Sequence, residues 1–137
     1  MLVYRLMHTR SRDGPWVHYG AHRDTQSWLD MGGHWNAIGA NSHSSPSDDG
    51  ICYDTSRRLW DKGYVCGCTN ITQVYHWFGE FWESWVEYGF ALFEIDIPSN
   101  LVVIADHQIL LLLAKAMSER IVSIDEYREM LFSRRGQ

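Results

Sequence analysis

The chain has 137 residues, 45% hydrophobic and 21% charged, with a formal net charge of −5. That length fits one domain, and the composition argues against disorder throughout. An acidic balance excludes a general nucleic-acid binder, which needs the opposite sign. The charge is unevenly spread. Residues 1–68 hold seven cations and seven acids, residues 69–137 hold five cations and ten acids, and no Lys or Arg stands between Lys62 and Lys115.

The opening MLVYRLMHTR has no basic region leading into an apolar core, so it does not read as a signal peptide. Within it, Leu2–Met7 predicts a strand, with Leu2, Tyr4 and Leu6 on one side and Val3, Arg5 and Met7 on the other. Residues 8–50 hold most of the Gly and His and few large aliphatics, which predicts a long loop region. One short helix fits inside it, capped by Asp24 and covering Thr25–Met31, and the run from His43 to Gly50 is turn chemistry.

Order returns with a short strand at Tyr64–Cys68. Asn70 and Gln73 then have capping-box spacing, ahead of a helical stripe of Ile71, Val74, Tyr75 and Phe78. Gly79 ends or bends that helix. A second helical segment carries Phe81, Trp82, Trp85 and Tyr88 inward, and Gly89 closes it. Strands are expected at Phe90–Ile97, at Leu101–Ile104 (expected buried) and at Gln108–Leu113, with turns at Pro98–Asn100 and Asp106–His107. A last helix, capped at Ser123, runs Ile124–Phe132. The expected fold is therefore α+β: a single domain over residues 1–132 with a mainly antiparallel sheet and packed helices, loop-rich over 8–50, and a frayed tail at 133–137.

No apolar run reaches the roughly 20 residues of a membrane span. Three cysteines, Cys52, Cys66 and Cys68, do not suit a secreted disulfide framework, so the expected compartment is the cytoplasm. Phosphate-loop and dinucleotide-fold signatures are absent. His18 and His22 stand four apart with Gly20 between them, and Cys66 and Cys68 alternate on a strand; neither pair has further ligands at a recognisable spacing, and no metal site is expected.

Two surfaces and one buried group carry the candidate chemistry. Glu80, Glu83 and Glu87 lie opposite the Trp82 and Trp85 face, an acidic surface able to receive Lys or Arg from a partner protein. Trp16, Trp28 and Trp35 sit in the polar loop region, where aromatic side chains either anchor an interface or pin the loops down. Arg5, flanked by Tyr4 and Leu6 and half-buried, requires an anionic or carbonyl partner: an internal carboxylate such as Asp49 or Glu94, or else a phosphate-bearing ligand.

Several stretches taken in order resemble a family of small uncharacterised phage and prophage proteins. They are Tyr4-Arg5-x-x-His8, Gly14-Pro15, Ser45–Ile51, Cys66–Asn70 leading into Val74-x-x-Trp77-Phe78, Tyr88-Gly-Phe90 before Glu94–Ile97, and His107–Leu110. A remoter similarity is to the ADP-ribosyltransferase fold. It implies an Arg on the first strand, here Arg5, hydroxyl residues before a helix, here Thr69, and a catalytic Glu on a late strand, where this chain carries Gln108. A Gln hydrogen-bonds a ribose but is no general base. The phage resemblance and the acidic second half imply an accessory protein that binds and modulates a host protein without catalysis or cofactor, an anti-defence role being the finer expectation. The alternative is an NAD-dependent mono-ADP-ribosyltransferase with Arg5, Thr69 and Gln108 around the cofactor. Neither a nucleic acid nor a membrane is an expected partner.

Overall fold

The computed structural model describes residues 1–12, 14 and 49–135. The expected helix after Asp24, the turn run over 43–48, Trp16, Trp28, Trp35, His18 and His22 lie outside the described residues. In chain order the described elements are β1 (Leu2–His8), α1 (Tyr53–Asp61), β2 (Val65–Gly67), α2 (Ile71–Phe78), a 3-10 segment (Phe81–Tyr88), β3 (Phe90–Asp96), β4 (Val102–Ile104), β5 (Ile109–Leu111), β6 (Ser118–Val122) and α3 (Ile124–Arg135), with single 3-10 turns at Ser99–Leu101 and Leu113–Lys115. The expected α+β class holds, in two small antiparallel sheets.

Strand alternation builds the layers. Tyr4 and Leu6 of β1 join Leu92 of β3 and Val122 of β6 against Ile71, Val74, Trp82, Trp85 and Tyr127 of the helical elements. Val3 and Met7 point the other way, with Phe93 and Ile95, onto Ile109 and Leu111 of the second sheet. The first sheet, ordered β1-β3-β6, is thus covered on one face by helices and on the other by the sheet ordered β2-β5-β4. Among the described residues a single bridge joins the sheets: the Tyr4 N–H donates to the Cys68 carbonyl at 2.8 Å, and the Cys68 N–H to the Tyr4 carbonyl at 2.7 Å. Gly67 makes that approach possible, since a Cβ there would lie 2.8 Å from Leu111 and 2.9 Å from the Tyr4 carbonyl.

The capping chemistry of α2 follows the sequence. The Asn70 side chain accepts the Gln73 N–H at 2.9 Å, and the Gln73 side chain reaches back to the Thr69 N–H at 2.8 Å. At α3, Ser123 Oγ accepts the Glu126 N–H at 3.1 Å. Three expectations are corrected. Leu101–Ile104 is not a buried strand, because β4 is an edge of its sheet and Ile104 is 65% exposed. The last helix continues to Arg135, past the expected end at Phe132. The segment after Gly79 is 3-10 rather than α, with a shorter turn and a different distribution of its side chains.

Candidate functional site

The described structure places the sequence-derived candidates in two groups and adds a third. Of Arg5, Thr69 and Gln108, only Arg5 lies in a strand; Thr69 follows β2 and Gln108 immediately precedes β5. Tyr4 faces Cys68 across the bridge, and Gly67 faces Ile109, so the residues flanking these pairs meet where β1, β2 and β5 adjoin. Arg5 and Gln108 are buried there, and Thr69 is half-buried. The Arg5 guanidinium donates to the Cys66 carbonyl at 2.5 Å and to the Arg12 carbonyl at 3.2 Å, and Gly14 packs beside it. Neither Asp49 nor Glu94, the two carboxylates named as examples, is the partner of Arg5: Asp49 binds His107, and Glu94 binds Arg120 and Tyr4. Burial pushes the thiols of Cys66 and Cys68 up, the latter to about 12, which leaves them protonated and unreactive at neutral pH.

The acidic surface is redistributed by the 3-10 geometry. At three residues per turn, Glu80 and Glu83 come into line, and Glu87 is rotated about 120° away from them. Glu83 is not a free surface acid, because Arg128 of α3 holds both its oxygens, at 2.9 and 2.5 Å. Glu80 and Glu87 remain exposed, as do Tyr75 at the end of α2 and Val86 within the 3-10 segment.

A third group was missed in the sequence. Asp49 is 3% exposed, and both its oxygens serve one residue: Oδ1 lies 2.8 Å from His107 Nδ1, and Oδ2 accepts the His107 backbone N–H at 2.7 Å. The Asp49 carbonyl accepts the Asp106 N–H at 2.9 Å, so the turn is clamped on both sides. From α2, the Trp77 indole N–H donates to the His107 carbonyl at 2.7 Å, and the His76 ring lies 5.6 Å from the His107 ring with planes 20° apart. A carboxylate only accepts, so Nδ1 of this 61%-exposed imidazole carries a proton toward Asp49. Asp49 and His107 lie 58 residues apart, within segments that read only as turns, so no local spacing could reveal the pair.

Cys52, just before α1, has the one exposed thiol, and the backbone amides of Thr55 and Asp54 lower its pKa. It does not complete a nucleophile–base pair with His107. Asp49 meets His107, Gly50 abuts Asp106 and Ile51 packs with Ala105, so the two segments run in opposite directions and carry Cys52 away from the imidazole.

No helix among the described residues is long and apolar enough to cross a membrane. The family model of the bacteriophage T4 Y00F protein matches residues 1–125. No curated protein and no solved structure matches the chain.

Proposed function

Because the chain belongs to the bacteriophage T4 Y00F protein family, we propose that it is a phage accessory protein that binds a host protein and modulates it without catalysis. One observation carries this reading: the polar groups suited to a cofactor are buried, while acids and apolar side chains between residues 75 and 87 are exposed. Arg5 is buried on two carbonyls and Gln108 is buried, whereas Tyr75, Glu80, Val86 and Glu87 are exposed on a stretch that carries no Lys or Arg from residue 63 to 114. A partner with a basic patch fits such a surface, because opposite charge steers encounter and apolar neighbours add contact area. A component of a host defence complex, which must handle nucleic acid through basic residues, is the finer proposal for that partner.

The test is capture of a stoichiometric partner from host lysate on immobilised protein. Glu80→Lys with Glu87→Lys should reduce the capture at least tenfold, and undiminished capture would remove this surface from the proposal. A second reading, NAD-dependent mono-ADP-ribosyl transfer, rests on Arg5 standing on β1, Thr69 just after β2 and Gln108 just before β5. Transfer of label from NAD to a host protein, abolished by Gln108→Ala, would replace the binding reading with this one.

A further inference from the structure

We propose that the chain pairs with a second copy of itself through the open edge of β6, the two antiparallel strands joining their sheets into one. The ladder shows which main-chain groups lie on that edge. The Ile97 N–H bonds the Met1 carbonyl and the Thr9 N–H bonds the Gly89 carbonyl, so odd-numbered residues of β3 turn their main chain toward β1. Its even-numbered residues therefore address β6, at Ser118, Arg120 and Val122. Glu119 and Ile121, between them, point their N–H and C=O groups away from the sheet. β6 ends the order β1-β3-β6, and these four groups have no main-chain partner among the described residues.

Edge strands are commonly guarded by charges, proline or bulges that deter a further strand. β6 has no proline, and its two charges are drawn back into their own copy. Arg120 leans onto Glu94 of β3 at 2.9 Å and onto Glu126 of α3 at 2.7 Å, and Glu119 pairs with Arg12 of the segment after β1. Neither brings an unpaired charge to the edge. Ile121 on the strand is 56% exposed, and Met117 just before it is 62% exposed.

A second copy fits this edge because the pattern is its own complement. About a two-fold axis at Arg120, Glu119 meets Ile121 of the second copy and Ile121 meets its Glu119, so the four outward groups of each copy pair with four of the other. Ile121 and its symmetry mate become diagonal neighbours on one face. On the other face Arg120 meets its mate, each already held between two carboxylates. The joined sheet runs β1-β3-β6-β6-β3-β1. The outer edge of β4 offers a strand of only three residues.

Sedimentation equilibrium of the full chain tests the pairing, at about 0.15 M salt, where a Debye length of about 8 Å screens the −5 on each copy. A reversible dimer with a micromolar Kd is expected, and a chain that stays monomeric into the millimolar range overturns the proposal. Amide hydrogen exchange locates the contact. The Glu119 and Ile121 amides should exchange freely in dilute solution and slow roughly tenfold or more as the dimer forms, while Ser118, Arg120 and Val122 stay protected throughout. A dimer in which those two amides remain fast overturns the proposal. Ile121→Pro deletes an outward N–H, which an edge strand tolerates, and Ile121→Glu sets a carboxylate opposite Glu119 of the second copy. Each should weaken the dimer roughly tenfold or more with circular dichroism unchanged, and a dimer that survives both overturns the proposal. The exchange measurement uses the unaltered chain, so it decides even where a variant fails to fold. No host partner takes part, which keeps the outcome independent of the binding reading.

Discussion

At the residue scale, His8 shows how one buried polar side chain is held. It is 3% exposed, its Nδ1 accepts the N–H groups of Arg10 at 3.1 Å and Ser11 at 3.3 Å, and its ring meets Phe90 edge-on. Gly89 leaves room for the other side of the ring: a Cβ there would lie 2.6 Å from His8 Nε2, at a φ of +93° that L side chains rarely adopt. Gly63 has a similar φ of +95°, yet its nearest neighbour stands at 3.9 Å. Gly89→Ala should therefore lower the Tm clearly more than Gly63→Ala, since it adds a collision to a backbone strain of about 1–3 kcal/mol. Equal losses in thermal unfolding would show that φ alone matters.

The thiols make a second residue-level contrast. Cys68 is pushed up to about 12 from an ordinary 9.0 and Cys66 is also raised, so the folded chain keeps these protons where the unfolded chain loses them. Stability must then fall as pH rises above about 9, because the native state binds more protons there. Denaturant midpoints measured between pH 8 and 10.5 should decline, and Cys68→Ala should flatten the decline. At neutral pH an alkylating reagent should label Cys52 before either buried thiol.

At the scale of elements, burial decided what could be read from sequence. The strands β1 and β3 and the helix α2 were legible because each buries a regular set of side chains: Tyr4 and Leu6, Leu92 and Ile95, Ile71, Val74 and Phe78. Two elements left no such trace. No residue of α1 is buried, and its apolar side chains are few, Tyr53, Leu59 and Trp60 among nine residues; β6 exposes Ser118–Ile121 and buries only Val122, so it has no apolar period to detect. The 3-10 character of Phe81–Tyr88 was also hidden. Trp82 and Trp85 stand three apart, a spacing that serves a 3-10 turn as well as an α-helix.

The acidic face suffered most from that ambiguity, since an α period would have shown Glu83 to solvent rather than to Arg128. The helical layer is pinned by Tyr127, whose hydroxyl donates to the Gly79 carbonyl at 2.6 Å and whose ring meets Trp82 edge-on at 5.0 Å. Tyr127→Phe keeps the ring and orphans that carbonyl, and should cost about 1–3 kcal/mol in denaturant unfolding without loss of helical circular dichroism. The His107 corner stayed invisible for a different reason. It joins a turn near residue 49 to one near residue 107, and only the folded chain makes them neighbours.

Across the whole molecule, the net charge of −5 resolves into local arrangements with different consequences. Some of the excess acid is neutralised within the fold: Glu94 and Glu126 share Arg120, Glu83 takes Arg128 and Glu119 takes Arg12. Exposed acids such as Glu80 and Glu87 set the field that a partner meets. Raising the salt concentration should therefore slow capture of a basic partner while leaving the midpoint of unfolding almost unchanged, because exposed ion pairs contribute little to stability.

The pairing of β1 with β3 reaches beyond the finished fold. Leu2 stands opposite Asp96 and His8 opposite Phe90, so β1 finds its sheet partner only after some 80 to 95 further residues have been made. At about 5–20 residues per second, that leaves β1 without its partner for roughly 4–19 seconds of every synthesis. Val3, Leu6 and Met7, sealed in the native protein, are open to chaperones and to one another throughout that interval. The nascent chain, rather than the mature one, is where this molecule is most exposed to aggregation.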